Sequence, residues 1–474
     1  MPSTIGEAIR ESPVVRQAID AIVSEVQAKT AGITAVRPPN PELATSYEAL
    51  CQDAAGSRGR PLLYPFLGSG AGRGPYVELA DGSVKLDLVT GIGVHFFGHS
   101  HPEIIRAQAE AALEDTTKHG NLQSGTAPYA FARKLCDLAG RKSGLSHAFL
   151  TTSGAMANEM ALKVCLQKHS PADRVIAFKH CFMGRSLTMT SIGDSAGARD
   201  GIPITMPVDY MPFWNERGAE KLGGTTRFID WSLWQLQQLF NRYPKRHACF
   251  IFELIQGEGG FNVAPRDYLE ELMKLCKANG VAVWDDEIQT FGRTTEMFAF
   301  EAFDLGEYVD VFCVGKMTQT CAAMFTADYN PRPGLLSGTF TGGTADFRTG
   351  LRILEMREGG GYYGEGGAFA AHHARFREHA EALRGRHPAW FPETEYAPEL
   401  IGGIGGMMRL TPFGGKKEPI VAAAKAIYDE GAVVFWCGHG PFHLRMLPPL
   451  PAMELDDWGP AFEILERGLA RAAR

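Results

Sequence analysis

The sequence predicts a large α/β domain, a mostly parallel sheet with helices on both faces, accompanied by a smaller α+β domain. Three observations lead there. Between about residues 145 and 320, short unbroken apolar runs (HAFL, RVIAF, ACFIFELI, VAVW, VDVFCV) alternate with amphipathic stretches such as AMANEMALKVCLQK. Strands buried on both faces read as unbroken rather than alternating apolar runs. The stretch after Pro265 shows what covers them: Leu269, Leu272, Met273 and Cys276 fall on one helical face and Gly280 marks its stop, as in a helix lying on a sheet. Past about residue 345 come two helical stretches, the strand-like GGMMRL, AVVFW and FHLRML, and a closing amphipathic helix, the order of an α+β unit.

In chain order, Ile5, Ile9, Val14, Val15, Ile19, Ile22 and Val23 recur at helical spacing until RPPNPE, whose prolines end the helix. The run GSGAGRG, Gly68 to Gly74, is followed by Pro75 and the strand-like YVEL. A nucleotide loop needs a helix N-terminus there, so the run reads as a loop before a hairpin. The chain divides accordingly into an N-terminal arm and small-domain segment (1–95), a large α/β domain (96–345) and a C-terminal small α+β domain (346–474).

The 474 residues carry 47 Lys+Arg against 54 Asp+Glu, a net charge of −7 without blocks of like charge, so neither nucleic acid nor an anionic membrane is an expected partner. No stretch approaches the ~20 apolar residues of a membrane span, and the start MPSTIGEAIRESP lacks a basic segment followed by an apolar run. A cytoplasmic location is expected. The nine cysteines are scattered with no C-x-x-C pair, which reads as reduced core or near-core thiols.

In an open parallel sheet ligands bind beyond the carboxyl ends of the strands. That singles out SGAMANE (Ser153 to Glu159), QGEGG (Gln256 to Gly260), DEIQ (Asp286 to Gln289) and Lys316 after VDVFCVG. Asp285, Asp286 and Glu287 raise a carboxylate metal cluster as a rival reading, but adjacent strand residues point to opposite faces and do not readily chelate together. GDSAG, Gly193 to Gly197, fits the G-x-S-x-G of a hydrolase elbow, yet Gly201 and Pro203 leave no room for the helix such an elbow needs. His372 and His373 lie on a polar helical stretch and are expected to face solvent.

These segments, together with GIGVHFFGHSHPE (Gly91 to Glu103), HCFMGRS (His180 to Ser186), SGTFTGG (Ser337 to Gly343) and FHLRMLPPL, occur in one order. From about residue 76 to 450 the chain resembles the class III aminotransferases, pyridoxal-phosphate enzymes of fold type I. Pyridoxal phosphate works as an electron sink only when its aldehyde, ring nitrogen and phosphate are all held. The resemblance implies that Lys316 forms the Schiff base and shuttles the proton, and that Asp286 pairs with the pyridinium nitrogen. It implies further that Gln289 meets the ring hydroxyl, Phe182 stacks on the ring, and Ser153, Gly154 and Ala155 offer backbone N–H groups to the phosphate. Thr339 matches a threonine that reaches the phosphate of the neighbouring subunit, which implies a homodimer with shared sites. Arg185 and Arg445 match arginines that grip substrate carboxylates, and Glu258 the glutamate that neutralises the second of them when an ω-amine is bound. No metal is implied, and His95, His99 and His101, despite a ligand-like spacing, correspond to the family's turn before a helix.

Departures from the pattern are Met183 for a usual His, Ala155 and Met156 for a hydroxyl and an acid, and Gly343 for a usual Asn. FCVGKMTQTC is most similar to the lysine 6-aminotransferase branch. The expected activity is therefore ping-pong transfer of a terminal amine, of lysine, ornithine or 4-aminobutyrate, to 2-oxoglutarate. A racemase, epimerase or aminomutase on the same scaffold is the alternative, since the same cofactor anchors serve those reactions. A non-catalytic protein that kept the fold is a third reading, disfavoured by the presence of the lysine, the aspartate and both arginines.

Overall fold

The computed structural model describes residues 4–394 and 399–474. Its central sheet has seven strands, which lie side by side in the order Leu145–Thr151, Cys321–Thr326, Val311–Val314, Ala282–Asp286, His247–Phe252, Arg174–Phe178 and Val208–Met211. Cys321–Thr326 alone among them runs antiparallel to its neighbours. Helices Gly154–Lys168, Thr225–Arg242 and Arg266–Ala278 make the crossovers, so the predicted mostly parallel sheet with helices is what forms.

Both sheet faces are buried, and the strand Ala282–Asp286 shows how. Ala282 and Trp284 join the apolar cluster around the helix Gly154–Lys168, while Val283 joins the cluster on the opposite face. With a side-chain period of two, Asp286 points to the face of that helix and Asp285 to the other.

Two short two-stranded pairings and two four-stranded sheets complete the fold. One four-stranded sheet pairs Gly68–Arg73, Tyr76–Leu79 and Val84–Asp87 with Ala432–Val433, so residues from both ends of the chain share it. The glycine-rich run at Gly68 is thus an edge strand, not the loop expected before a hairpin; its backbone pairs with Tyr76–Leu79 through an irregular register, which low side-chain propensity does not prevent. The other sheet is antiparallel, in the order Ile401–Ile404, Met407–Leu410, His443–Met446 and Phe435–Cys437. Arg409 stands opposite Arg445, and Arg445 opposite Phe435.

The segment MPFWNERGAEKLGG, which carries no clear pattern in the sequence, forms the helix Glu216–Leu222, capped by the Asn215 side chain accepting from Gly218 N at 2.6 Å. The His372 and His373 expectation is corrected. His372 is buried and its Nδ1 accepts from the indole of Trp458 at 3.1 Å, because the closing helix Trp458–Ala472 lies over it; His373 is half-buried and bonds the Gly405 carbonyl at 2.9 Å.

Candidate active site

The singled-out residues sit where parallel strands end. Asp286 closes Ala282–Asp286, Lys316 follows Val311–Val314, Phe182 lies in the loop after Arg174–Phe178, and Glu258 in the turn after His247–Phe252. Lys316 has a left-handed φ of 56°, a costly conformation for a residue with a Cβ and one that tends to occur at functional sites. Gly315 before it has no room for a side chain, since a Cβ there would lie 2.4 Å from Cys321 Sγ. Among the described residues the Lys316 ammonium has no hydrogen-bond or ion-pair partner. Burial first, and the charge of Arg445 second, push it down to about 8, against the opposing pull of Asp286 and Glu258.

Asp286 is buried and its carboxyl is pushed up to about 6 by that burial, a rise moderated by two hydrogen bonds and by Lys316. Oδ1 accepts from Ile288 N at 2.9 Å and Oδ2 from the Asn158 side chain at 2.8 Å. Asn158, on the buried face of the helix Gly154–Lys168, also donates to the Met183 carbonyl at 2.8 Å. It thereby fixes both the aspartate and the loop carrying Phe182. Sequence reasoning passed over it, although a lone amide among Ala157, Ala161, Leu162 and Cys165 on an apolar helix face was a readable signal. Glu253 was missed too. It is buried, accepts from Phe182 N and Gly257 N at 3.1 Å each, and is pushed up to about 8 by burial and by Asp286.

Gln289 is half-buried against Gly257, and its Oε1 is buried without a partner. Such an atom is normally satisfied, so a donor is wanted beside Asp286. Ser153 caps the helix Gly154–Lys168, its Oγ accepting from Met156 N at 3.3 Å, and the N-terminal turn at Ser153, Gly154 and Ala155 is open to solvent. Gly184, at φ 123°, presses on it: a Cβ there would fall 2.6 Å from that of Ala155. The free N–H groups and positive helix end suit an anion. A lysine, a buried carboxylate, an orphaned amide oxygen and an anion-binding helix end thus fit the aldehyde, ring and phosphate of pyridoxal phosphate.

Phe182 is half-buried and the exposed Arg185 guanidinium stands 5.1 Å over its ring. Arg445 is 1% exposed; its Nη1 lies 2.9 Å from Glu258 Oε2, and its Cζ 5.2 Å over the Phe435 ring. The ion pair is off the line of a hydrogen bond, so Nε and Nη1 remain without acceptors. Thr339 is exposed, on a segment that packs its backbone against Gly120. A cavity of about 540 Å³ lies beside the Glu258 turn and is lined by His180, Gln256, Arg409, His439 and His443 among others. Asp285 points away to Glu287, whose carboxylate caps Ala299 N and Phe300 N at 2.7 and 2.9 Å. No group of metal-ligating side chains occurs among the described residues. His99 pairs with Asp87 at 3.0 Å and His101 caps the helix Pro102–Ala111.

The model of the family described as aminotransferase class-III matches residues 65–347. The acetylornithine aminotransferase of Methanocaldococcus jannaschii is 31% identical over 255 residues, 52% of this chain and 56% of that protein; the alignment spans little more than half of that relative. The diaminobutyrate–2-oxoglutarate transaminase of Wolinella succinogenes is 28% identical over 392 residues, 80% of this chain and 86% of that one. Among solved structures, the lysine aminotransferase from M. tuberculosis superposes with a TM-score of 0.77 at 21% identity, covering 89% of this chain and 99% of its own. The fold is shared.

Proposed function

We propose, for a chain that belongs to the class-III aminotransferase family, that it moves the terminal amino group of a diamino or ω-amino acid, such as lysine, ornithine or 4-aminobutyrate, to 2-oxoglutarate. The observation that carries this is the buried Arg445 paired with the half-exposed Glu258 beside Lys316. One site must accept in turn a substrate with a carboxylate at that point and one without it. Paired, Arg445 is neutralised for the amine donor; with Glu258 turned aside, its planar guanidinium clamps the acid. Arg185, exposed over Phe182, would take the donor's distal carboxylate.

Pyridoxal phosphate, when bound, supplies an aldehyde for the amino group and a conjugated ring that draws electrons from the substrate carbon. Lys316 would hold the aldehyde carbon through Nζ and afterwards carry a proton there, which its lowered proton affinity permits near neutral pH. Asp286, held by Asn158, would keep the ring nitrogen protonated, and Gln289 would bond the ring hydroxyl. Phe182 would press on the ring face, and Ser153, Gly154 and Ala155 would bind the phosphate.

Residues 96–345 would be the unit that holds the cofactor, and 1–95 with 346–474 the unit that supplies Arg445. We take the enzyme to be a cytoplasmic homodimer with Thr339 reaching the partner's phosphate site. Its nine cysteines are free. Leu122 (95% exposed), Tyr129 and Phe340 form exposed apolar surface where the segments around Thr339 and Lys118 pair. The test is isotopic: with the donor's terminal nitrogen labelled, the label should appear in glutamate, and label retained in the donor sinks the reading.

A further inference from the structure

Arg409 and Arg445 stand opposite one another on adjacent antiparallel strands, and both are buried. Like charges so placed repel, and a guanidinium does not lose its proton. The structure answers the two charges differently. Arg445 has Glu258. Arg409 has no carboxylate within ion-pairing distance among the described residues; its Nη1 donates to the Gly260 carbonyl and, at 2.8 Å, to Asn262 Oδ1, while its Nε, against Gly402, finds no acceptor.

Gly260 and Asn262 end the turn that carries Glu258. The rest of that turn is strapped as well. Asn262 Nδ2 donates to Gln256 Oε1 and to the Gly259 carbonyl at 3.1 Å each, Gln256 donates to the Lys179 carbonyl at 2.6 Å, and the Glu258 carbonyl accepts from Gly438 N at 2.8 Å. The backbone is held at several points, yet the Glu258 side chain is 31% exposed. Arg409 joins the small sheet to the far end of this turn, as Arg445 joins it at Glu258.

We propose that Arg409 is a positioning residue that holds the Gly257 to Asn262 turn still, so that the Glu258 side chain alone moves when Arg445 exchanges it for a substrate carboxylate. This rests on the reading of Glu258 and Arg445 given above. The donor half-reaction needs Glu258 placed on Arg445, whereas the glutamate half-reaction needs only that it leave. Arg409 therefore matters chiefly to the first.

The test compares single-turnover kcat/KM of the holoenzyme with an ω-amino acid and with L-glutamate. Arg409→Met should lower the first roughly ten- to a hundredfold, the range for losing a hydrogen bond to a charged group, and leave the second within about twofold. Arg409→Lys should recover part of the loss, and Arg409→Met placed on Glu258→Gln should add nothing. Equal losses in both half-reactions, or full additivity with Glu258→Gln, overturn the proposal. Should Arg409→Met fail to fold, Asn262→Ala removes one of the two acceptors of Arg409 and must show the same asymmetry. If Glu258→Gln alone changes neither half-reaction, it is the reading of Glu258 and Arg445 that fails.

Discussion

Lys316 concentrates the chemistry in one amine, and its surroundings set when that amine is free to react. A lysine ordinarily holds its proton to about 10.5; burial and Arg445 bring Lys316 to about 8, so its neutral fraction grows as pH rises through that value. Cofactor capture by the apoprotein should accelerate between about pH 7 and 9 with a midpoint near 8. Arg445→Met removes a cation that lowers the value and leaves Glu258, which raises it, so the midpoint should move to higher pH. Stopped-flow absorbance against pH decides this; a midpoint unmoved or more acidic contradicts it. Asp286 shows the opposite displacement from the same physics, burial favouring its neutral form. A cationic ring nitrogen beside it would reverse that preference.

Among the elements, the helix Gly154–Lys168 does most to build the site, because one end and one face serve different parts of the cofactor. Its N-terminus offers the open turn at Ser153, and Asn158, about one turn on, reaches Asp286 across the sheet edge. Asn158→Ala should lower kcat about 10- to 100-fold, the range for losing one hydrogen bond to a charged group, with cofactor still bound through Lys316. Absorbance and turnover on the same sample separate the two. Loss of cofactor with kcat per bound site unchanged would contradict the assignment. Lys316, Asp286 and Ser153 could be singled out because each ends or follows an apolar run or opens a helix, and Gln289 because it lies three residues beyond Asp286. Glu253 was not legible, and Asn158 showed only as a lone amide on an apolar helix face, since the meaning of both lies in partners from other elements, Phe182 N and Asp286 Oδ2. His372 misled for the same reason: the polar stretch around it faces outward by pattern, and only Trp458, more than eighty positions on, covers it.

At the scale of the molecule, the parallel sheet was legible from its unbroken apolar runs, while the glycine-rich edge strand was not, because backbone pairing rather than side-chain pattern forms it. The sharing of one small sheet by Val84–Asp87 and Ala432–Val433 is likewise a product of tertiary contact. Thr339 is exposed beside the apolar Leu122 and Phe340. If sites are shared, Lys316→Ala chains mixed and refolded with Thr339→Ala chains should form hybrid dimers with one intact site and regain turnover above either parent. No gain over the parents would argue against sharing. That one site serves an ω-amine and an acid through Arg445 and Glu258 can be read from half-reactions without acceptor. The pyridoxal form is mixed separately with L-lysine, L-ornithine, 4-aminobutyrate and L-glutamate while its visible absorbance is followed. We predict that glutamate and at least one ω-amino acid each discharge the aldehyde form. Spectral binding of amino acids with no discharge by any of them would contradict the account.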